Sequence, residues 1–412
     1  MHREGAQKPK ISFPEFVGLV AAMFSLVALS IDAMLPALDD IANSMGVPGT
    51  NQAQLVVAAM LFGLGLGQLI YGPLSDSYGR RRPIVVGFVI FMVGCIICLF
   101  AQTMDQLLIG RFIQGIGVAG ARIVTIAIVR DLFEGAAMAR VMSFVMTVFI
   151  LVPAIAPMIG HGIVLISDWR MIFAMFLGHS LIVLIWFWLR LDETLTEERR
   201  HPLSLKRNWR ATVEIFKNRQ SFGHMLAAGF VFGAFIGFLS TVQQIFAVTF
   251  DRQSEFPFWF AFLSLSLGAA SIANAKLVMR FGMRRLSRSA IFVSTAVSAA
   301  FLVFLLVASM QYQMASPPFW LFMIYMSITF FFFGILFGNL NALAMEPLGH
   351  IAGVGASVVG AGTSLISAPL GVLVGQQFNG TVVPLVTGFA VYSLITIFIM
   401  GWIDRQGHRG TK

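Results

Sequence analysis

Three charged side chains interrupt the long apolar stretches of this sequence and could take part in chemistry there. Asp32 lies in the first stretch, and Arg111 and Arg122 lie together in a later one. Burial and a nearby guanidinium act in opposite directions on the ionisation of a carboxyl group. We therefore expect an Asp32 that faces Arg111 to gain and lose a proton near physiological pH. The alternative is a structural ion pair that stays ionised.

The spacing of the later stretch predicts one polar face on a helix. Arg111, Gln114, Val118 and Arg122 recur at intervals of three and four residues, which aligns them along a helix. A guanidinium facing lipid would be costly, so this face is predicted to point at a bundle interior or a wet cavity. Arg122 lies about 16 Å further along the helix than Arg111. It could instead extend to the cytoplasmic surface, as long basic side chains do.

The composition indicates that a membrane surrounds these residues. Of 412 residues, 58% are hydrophobic and 11% are charged, whereas soluble proteins average about 45–50% and about 25%. This excludes a water-soluble globule, and the apolar runs are longer than the roughly ten-residue strands of a membrane barrel. We predict an all-α membrane protein with twelve transmembrane helices at 16–38, 53–73, 83–102, 106–128, 138–162, 170–190, 223–248, 257–278, 288–309, 318–343, 350–376 and 381–402.

Basic residues predict the orientation of these helices. Most of the 28 lysines and arginines fall in segments that are cytoplasmic if the N-terminus is inside. Both termini are therefore expected in the cytoplasm. The net charge of +9 then reflects topology and attraction to anionic lipid, and we do not expect nucleic acid as a partner. No cleavable signal peptide is expected, because the first apolar run is too long and contains Asp32.

A polar segment divides the chain into two halves. The predicted organisation is a cytoplasmic tail 1–15, a six-helix bundle 16–190, a cytoplasmic linker 191–222, a second six-helix bundle 223–402 and a cytoplasmic tail 403–412. A weak internal repeat supports this division, since Gly79 and Gly282 occupy matching loops that each contain two arginines just after the glycine. Parallel six-helix repeats with a binding site at their interface are typical of transporters.

The loop after the second span resembles the signature of the major facilitator superfamily, G-x-L-a-D-r-x-G-r-k. The residues at signature positions include Gly72, Asp76, Gly79, Arg80 and Arg81. A carboxylate is favoured at the N-terminus of a helix. We therefore predict that Asp76 is a conformational latch that binds the start of the eleventh span, near 353–357, when the cytoplasmic side is closed. The alternative is a solvated turn whose arginines only hold the loop inside.

Two further stretches resemble the same superfamily. The fourth span, from Arg111 to Ala119, is similar to the pattern R-x-x-q-G-x-g-x-a. The first span, from Asp32 to Leu38, resembles the D-m-y-l-P-a-l-p segment of the bicyclomycin-resistance and chloramphenicol-efflux branch of drug:proton antiporters, with Ala33 and Met34 replacing the usual pair.

The fifth span resembles the antiporter signature g-x-x-x-G-P-x-x-G-G. Pro157 and Gly160 match it, Pro153 adds a second proline one turn earlier, and Val152, Ala156 and His161 depart from glycine. Prolines bend a helix, and small residues permit close packing. The departures leave antiport less firmly indicated than the fold.

These resemblances imply a major facilitator transporter that exposes a central cavity alternately to each side. We predict a proton-coupled multidrug exporter of lipophilic or amphipathic molecules in a bacterial inner membrane, with Asp32 and Arg111 as the coupling residues. The predicted cavity residues on spans one, four, seven and ten are Met34, Gln114, Arg122, Gln243, Gln244, Tyr325, Asn339 and Asn341. The alternative is a proton-coupled importer or a metabolite exporter of the same fold.

The expected partners are a drug-like small molecule, protons and the lipid bilayer, and we expect a monomer. No cofactor is expected, because the proton gradient would drive transport and no phosphate-binding G-x-x-x-x-G-K-[ST] loop occurs. Cys95 and Cys98 are too few for a cysteine-based metal site. A membrane enzyme would need clustered catalytic or metal-binding side chains, so we do not expect one.

Overall fold

A computed structural model of the chain describes residues 11–48, 51–200, 202–312 and 316–405. They form fourteen α-helices: α1 Phe13–Asp32, α2 Leu38–Ser44, α3 Leu55–Tyr78, α4 Arg81–Leu99, α5 Met104–Leu132, α6 Gly135–Ile166, α7 Arg170–Arg190, α8 Leu205–Lys217, α9 Arg219–Gln244, α10 Phe256–Phe281, α11 Met283–Tyr312, α12 Phe319–Met345, α13 Ala352–Gln376 and α14 Val383–Asp404. All but α2 and α8 are long enough to match the predicted spans.

The all-α membrane fold predicted from the sequence is confirmed. Within the described residues, ten stretches are long and apolar enough to cross a membrane. One of them, Phe319–Gln376, contains both α12 and α13, and α6 contributes the shorter apolar stretch Leu151–Ile166. The cytoplasmic location of both termini stays a prediction.

The first span differs from its prediction in one respect. It was expected to be one helix over 16–38, but α1 ends at Asp32, and a short 3-10 turn, Leu35–Ala37, leads into α2. Pro36 explains the break, because its ring clashes with the carbonyl group four residues earlier and it has no N–H to donate. The residue four positions before Pro36 is Asp32, so the carboxyl side chain lies where the helix stops.

The described helices group into two compact units. The first contains the described residues up to Gly46 together with Ala59–Ala211, and the second contains the segment 47–58 together with the described residues from Thr212 onward. In the first unit α4 packs on α5 and α7, and α1 packs on α6, α5 and α7. In the second unit α9 packs on α13, α14 and α12, while α12 also contacts α10 and α11. The segment predicted as a linker, 191–222, contains α8.

Candidate proton and substrate site

Asp32 is a buried carboxyl group at the end of α1. It is 6% exposed and lies well inside the apolar stretch Phe13–Ser44. Among the residues that the structure describes, no hydrogen bond or ion pair involves its carboxylate. An ionised carboxylate without a partner is costly in apolar surroundings. The charge on this group is therefore open to control by a proton or a ligand.

The Arg111 side chain of α5 contacts the same end of α1 by binding the backbone of Ser30. Its Nη2 donates a 2.9 Å hydrogen bond to the carbonyl oxygen of Ser30, and its Nη1 donates to Gln114 Oε1, also at 2.9 Å. The carbonyls in the last turn of a helix lack helical N–H partners. Arg111 thus caps α1 at the turn that carries Asp32. Within the described chain the two side chains form no ion pair within 4.0 Å, and their joint role in coupling stays a prediction.

Gln114 connects this arrangement to α4. It is fully buried, and its Nε2 donates to Cys95 Sγ at 3.0 Å. Cys98, one turn along α4, donates through its sulfur to the Leu107 carbonyl oxygen at 3.7 Å. Gln114, predicted to line the cavity, thus lies between α4 and α5. Met34, another predicted cavity residue, is completely buried in the turn after α1.

The proline motif of the fifth span lies against the turn that follows Asp32. Pro153 and Pro157 lie inside α6, and Gly160 follows one turn later. A Cβ atom added at Gly160 would overlap the carbonyl oxygen of Ala33, the residue after Asp32. The backbones of α6 and the turn therefore touch, and only glycine fits at this point. Two motifs that are far apart in the sequence meet at the turn that follows Asp32.

Arg122 lies further along α5 and differs from the buried arginines Arg80 and Arg111. It is partly exposed, whereas Arg111, Gln114 and Val118 on the same face are fully buried. In the part of the chain that the structure describes, no hydrogen bond, ion pair or ring contact involves its guanidinium.

The signature loop after α3 is organised around Arg80. This side chain is 3% exposed, its Nε donates to Asp131 Oδ2 at 2.7 Å, and its Nη1 donates to Asp76 Oδ1 at 2.6 Å and to Ser75 Oγ at 3.0 Å. Burial lowers the pKa of the Arg80 guanidinium, but the hydrogen bonds and charges of Asp131 and Asp76 outweigh this effect and raise it. Asp76 therefore holds Arg80 within its own unit, and its predicted latch contact with 353–357 stays a prediction.

A carboxylate from the segment after α7 completes this loop. Glu193 accepts hydrogen bonds from the backbone N–H groups of Arg80 at 2.7 Å and Arg81 at 3.1 Å, at the N-terminus of α4, where a negative charge is favoured. Gly79 has φ +88°, and a Cβ atom there would overlap the Glu193 carboxylate. The Arg81 guanidinium donates to the Trp188 carbonyl oxygen and stacks on its ring at 3.9 Å. Gly72 accepts from the Ser75 hydroxyl through its carbonyl oxygen.

Two of the predicted cavity residues in the second unit are adjacent glutamines at the end of α9. Gln244 Oε1 accepts a 2.5 Å hydrogen bond from Gln54 Nε2, which comes from the 47–58 segment. Gln243 is 1% exposed. Asn51 of the same segment donates to the carbonyl oxygens of Gln376 and Phe378, both at 3.1 Å. These contacts join the segment before α3 to α9 and the end of α13.

The three predicted cavity residues on α12 point in different directions. Asn339 exchanges two hydrogen bonds with Asn274 of α10, at 2.8 and 3.2 Å. The Tyr325 hydroxyl donates to Ser298 Oγ on α11 at 3.2 Å. Asn341 donates to the Phe337 carbonyl oxygen of its own helix. Asn339 and Tyr325 thus bind different neighbours of α12, namely α10 and α11, and do not lie together.

Sequence reasoning did not single out several residues that organise these sites. Cys95 was considered only as a possible metal ligand, and Asp131, Glu193 and Gln54 were not considered. Asp131 could have been found, because an acidic residue at the end of an apolar helix needs a partner. Glu193 and Gln54 lie in polar segments that gave no such signal. Within the described ranges, no group of three or more His, Cys, Asp or Glu side chains could hold a metal ion.

Long apolar helices in two units, with charged groups buried inside them, are typical of membrane transporters. Residues 20–372 match the family model described as the Major Facilitator Superfamily. The chain belongs to this superfamily and is a multi-pass membrane transporter, which confirms the family predicted from the signature loop.

Known relatives agree with this assignment. The chain is 30% identical over 386 residues to the uncharacterized MFS-type transporter YdgK of Bacillus subtilis strain 168, covering 92% of each chain. It is 26% identical over 391 residues to a bicyclomycin resistance protein homolog of Haemophilus influenzae, covering 94% of this chain and 95% of that one. This relative confirms the resemblance to the bicyclomycin-resistance branch. A partially occluded inward-open structure of the xylose transporter XylE from E. coli shares the fold, with a TM-score of 0.72 at 12% identity and coverage of 95% and 98%.

Proposed function

We propose that this protein is a proton-coupled exporter of lipophilic or amphipathic small molecules, and that Asp32 carries the proton. The observation that carries the proposal is the isolation of the Asp32 carboxyl, which is buried in an apolar stretch without a hydrogen bond or ion pair to any described residue. Such a group changes its charge when a proton or a ligand arrives, because neither state is held by a protein partner.

The arrangement around Asp32 supports a coupling role. Arg111 is held by Ser30 and Gln114, so its positive charge stays fixed beside the turn and does not neutralise the carboxylate directly. Gly160 places α6 against the next residue, Ala33. A change in the charge of Asp32 therefore acts on a turn that is in contact with two other helices. This is the kind of element whose equilibrium a proton could shift.

The proposed cycle is a competition between the proton and the substrate. Binding of a proton at Asp32 from outside releases the substrate, and loss of the proton to the cytoplasm restores binding. Each proton that enters down 100 mV supplies about 2.3 kcal/mol, which sustains roughly a 50-fold substrate gradient at tenfold per 1.4 kcal/mol. The gradient is the only driving force in this scheme, and no cofactor takes part.

Drug-like molecules are the proposed substrates because a relative that covers nearly the whole chain is described as a bicyclomycin resistance protein homolog. The proposed setting is the inner membrane of a bacterium, with both termini in the cytoplasm and the protein acting as a monomer. The excess of lysine and arginine in alternate loops supports this orientation.

The test uses purified protein in sealed liposomes that contain a pH-sensitive dye. Bicyclomycin and a panel of amphipathic drugs are added, and substrate-dependent proton movement is recorded for wild type, Asp32→Asn and Asp40→Asn. Asp40 is a matched control because it is an exposed aspartate on the neighbouring helix α2. We expect proton movement in wild type and Asp40→Asn and none in Asp32→Asn. Proton movement that survives in Asp32→Asn would refute the role of Asp32.

A second measurement tests the competition itself. Exchange of labelled for unlabelled substrate needs substrate binding but no net proton movement, so Asp32→Asn, which imitates the protonated carboxyl, should lose exchange as well as uphill transport, while Asp40→Asn should retain both. The direction of transport is tested in a drug-sensitive bacterium, where export predicts lower drug accumulation on expression. Higher accumulation would instead identify a proton-coupled importer.

A further inference from the structure

Arg122 is a charged group of α5 that the proposed coupling mechanism does not use. It lies a few residues past the middle of α5, on the face shared with Arg111, Gln114 and Val118. Those three residues are completely buried, whereas Arg122 is partly exposed. Arg122 is thus the member of this set that retains exposed surface.

The charge of Arg122 has no partner within the described part of the protein. Among the described residues it takes part in no hydrogen bond, ion pair or ring contact. The contrast with Arg80 is direct, because Arg80 binds two carboxylates. One of these is Asp131, the next acidic residue along α5 from Arg122, and it is therefore already engaged. An arginine in an apolar stretch normally pairs with a partner, and here the partner is not part of the described chain.

The geometry of the helix argues against a contact with the membrane surface. Arg122 lies ten residues before Leu132, the end of α5, a distance of about 15 Å along the helix axis. Helical side chains lean towards the N-terminus of their helix, so Arg122 leans towards the middle of α5 and away from Leu132. A guanidinium in contact with lipid chains there would be costly. The open side of Arg122 must therefore face water or a bound molecule.

We propose that Arg122 binds the anionic group of the transported molecule, so that the substrates of this protein are amphipathic organic acids. This inference rests on the proposed export function and names its substrate class. Release of the acid then follows from a change in the turn that carries Asp32, because protonation of Asp32 removes a negative charge and by itself favours an anion. A guanidinium presents a planar pair of donors that matches a carboxylate. Arg111 adds a second positive charge on the same face, which favours anions and disfavours cations.

The test measures binding to the purified full-length protein. The probes are naphthalene-1-acetate, ibuprofen and cholate, each compared with its own primary amide, and affinity is obtained from ligand-induced thermal stabilisation. We expect wild type to bind acids more tightly than the matching amides. Arg122→Gln should weaken acid binding by about 10- to 100-fold, the effect of losing a charge-assisted hydrogen bond, and should leave amide binding unchanged.

Two further variants control for charge and for folding. Arg122→Lys keeps a positive charge and should retain the preference for acids with reduced affinity, because it lacks the planar pair of donors. Arg130→Gln removes a positive charge from the last turn of the same helix and should leave the preference unchanged. Unchanged amide binding in Arg122→Gln shows that this variant is folded.

Several results would overturn the proposal. One is a wild-type protein that binds no acid of the panel more tightly than its amide, and another is an Arg122→Gln variant that binds acids as wild type does. If Arg122 instead holds a lipid phosphate, mass spectrometry will find a phospholipid retained by wild type and lost from Arg122→Gln, with acid binding unchanged. Asp32→Asn should keep the preference for acids, so failure of the proton-coupling proposal remains distinguishable from failure of this one.

Discussion

Arg111 caps α1 by donating a 2.9 Å hydrogen bond to the Ser30 carbonyl oxygen, two residues before Asp32. The guanidinium thus stabilises the break in the helix, and the carboxylate has no partner among the described residues. An ion pair between the two side chains would instead hold the carboxylate in its charged form. Capping by Arg111 gives the turn a fixed geometry while keeping Asp32 available for its proposed role in proton binding.

Replacing Arg111 by lysine should uncouple transport although the charge is kept. A lysine ammonium cannot reach Ser30 and Gln114 together as the planar guanidinium does. We expect substrate-driven proton movement in liposomes to fall by about tenfold, equivalent to about 1.4 kcal/mol. Arg170→Lys is the matched control, because Arg170 also donates to a backbone carbonyl, that of Ala101, at 2.9 Å. Equal effects of the two variants would show that the cap on α1 has no special role.

Gly160→Ala should disturb the turn that follows Asp32. The new methyl group would overlap the Ala33 carbonyl oxygen, and overpacking of this kind costs about 1–3 kcal/mol. We expect a lower unfolding temperature and reduced proton movement. Gly162→Ala is the control, since a Cβ atom there meets nothing within 4 Å. If both variants transport like wild type, contact between α6 and the turn is not needed for coupling.

The two carboxylates that bind Arg80 should differ in their contribution to stability. Asp131 is 3% exposed at its side chain and Asp76 is 26% exposed. Asp131→Asn leaves a buried charge without its more deeply buried partner and should lower the free energy of unfolding by about 3–5 kcal/mol. Asp76→Asn should cost about 1 kcal/mol or less, as expected of a partly exposed pair. Denaturant titration in detergent measures both, with the exposed Arg82→Gln as control. A larger loss for Asp76→Asn would contradict this ranking.

The Asn274–Asn339 pair should behave as one unit. The two side-chain amides form hydrogen bonds with each other, so removing Asn274 leaves the buried Asn339 amide unsatisfied at a cost of about 1–3 kcal/mol. The double variant Asn274→Ala/Asn339→Ala should cost clearly less than the sum of the two single variants. Asn341→Ala is the control, because Asn341 bonds only the Phe337 carbonyl of its own helix. Additive effects in thermal unfolding would disprove the coupling.

The helices were predictable because length and hydropathy determine where a chain can cross a bilayer. The prediction of one continuous helix over 16–38 was wrong, although Pro36 was visible in the sequence, because hydropathy does not report a break in backbone hydrogen bonds. The signature loop after α3 was located from its motif, and its Asp76 was predicted to be a latch. The contacts of Arg80 with Asp131 and Glu193 join segments that are distant in the chain. Residue spacing in a single sequence does not reveal such contacts.

For the polar residues of the spans too, the sequence predicted positions along a helix but not the partners of the side chains. Helical spacing placed Arg111 and Gln114 on one face, and the structure agrees, but spacing did not reveal that Gln114 would bond Cys95. Tyr325 and Asn339 were assigned to one cavity because both lie on α12. They lie fourteen positions apart on a helix whose sides contact different neighbours, and each pairs with a different helix.

The burial of both cysteines has a practical consequence for spectroscopy. Cys95 and Cys98 are the only thiols of the chain, and neither has any exposed surface. Maleimide and spin-label reagents should therefore leave the native protein unmodified, and cysteines introduced at exposed positions can carry probes in an otherwise unaltered background. Cys95 should be kept in such work, because its removal would deprive Gln114 of an acceptor and disturb Arg111.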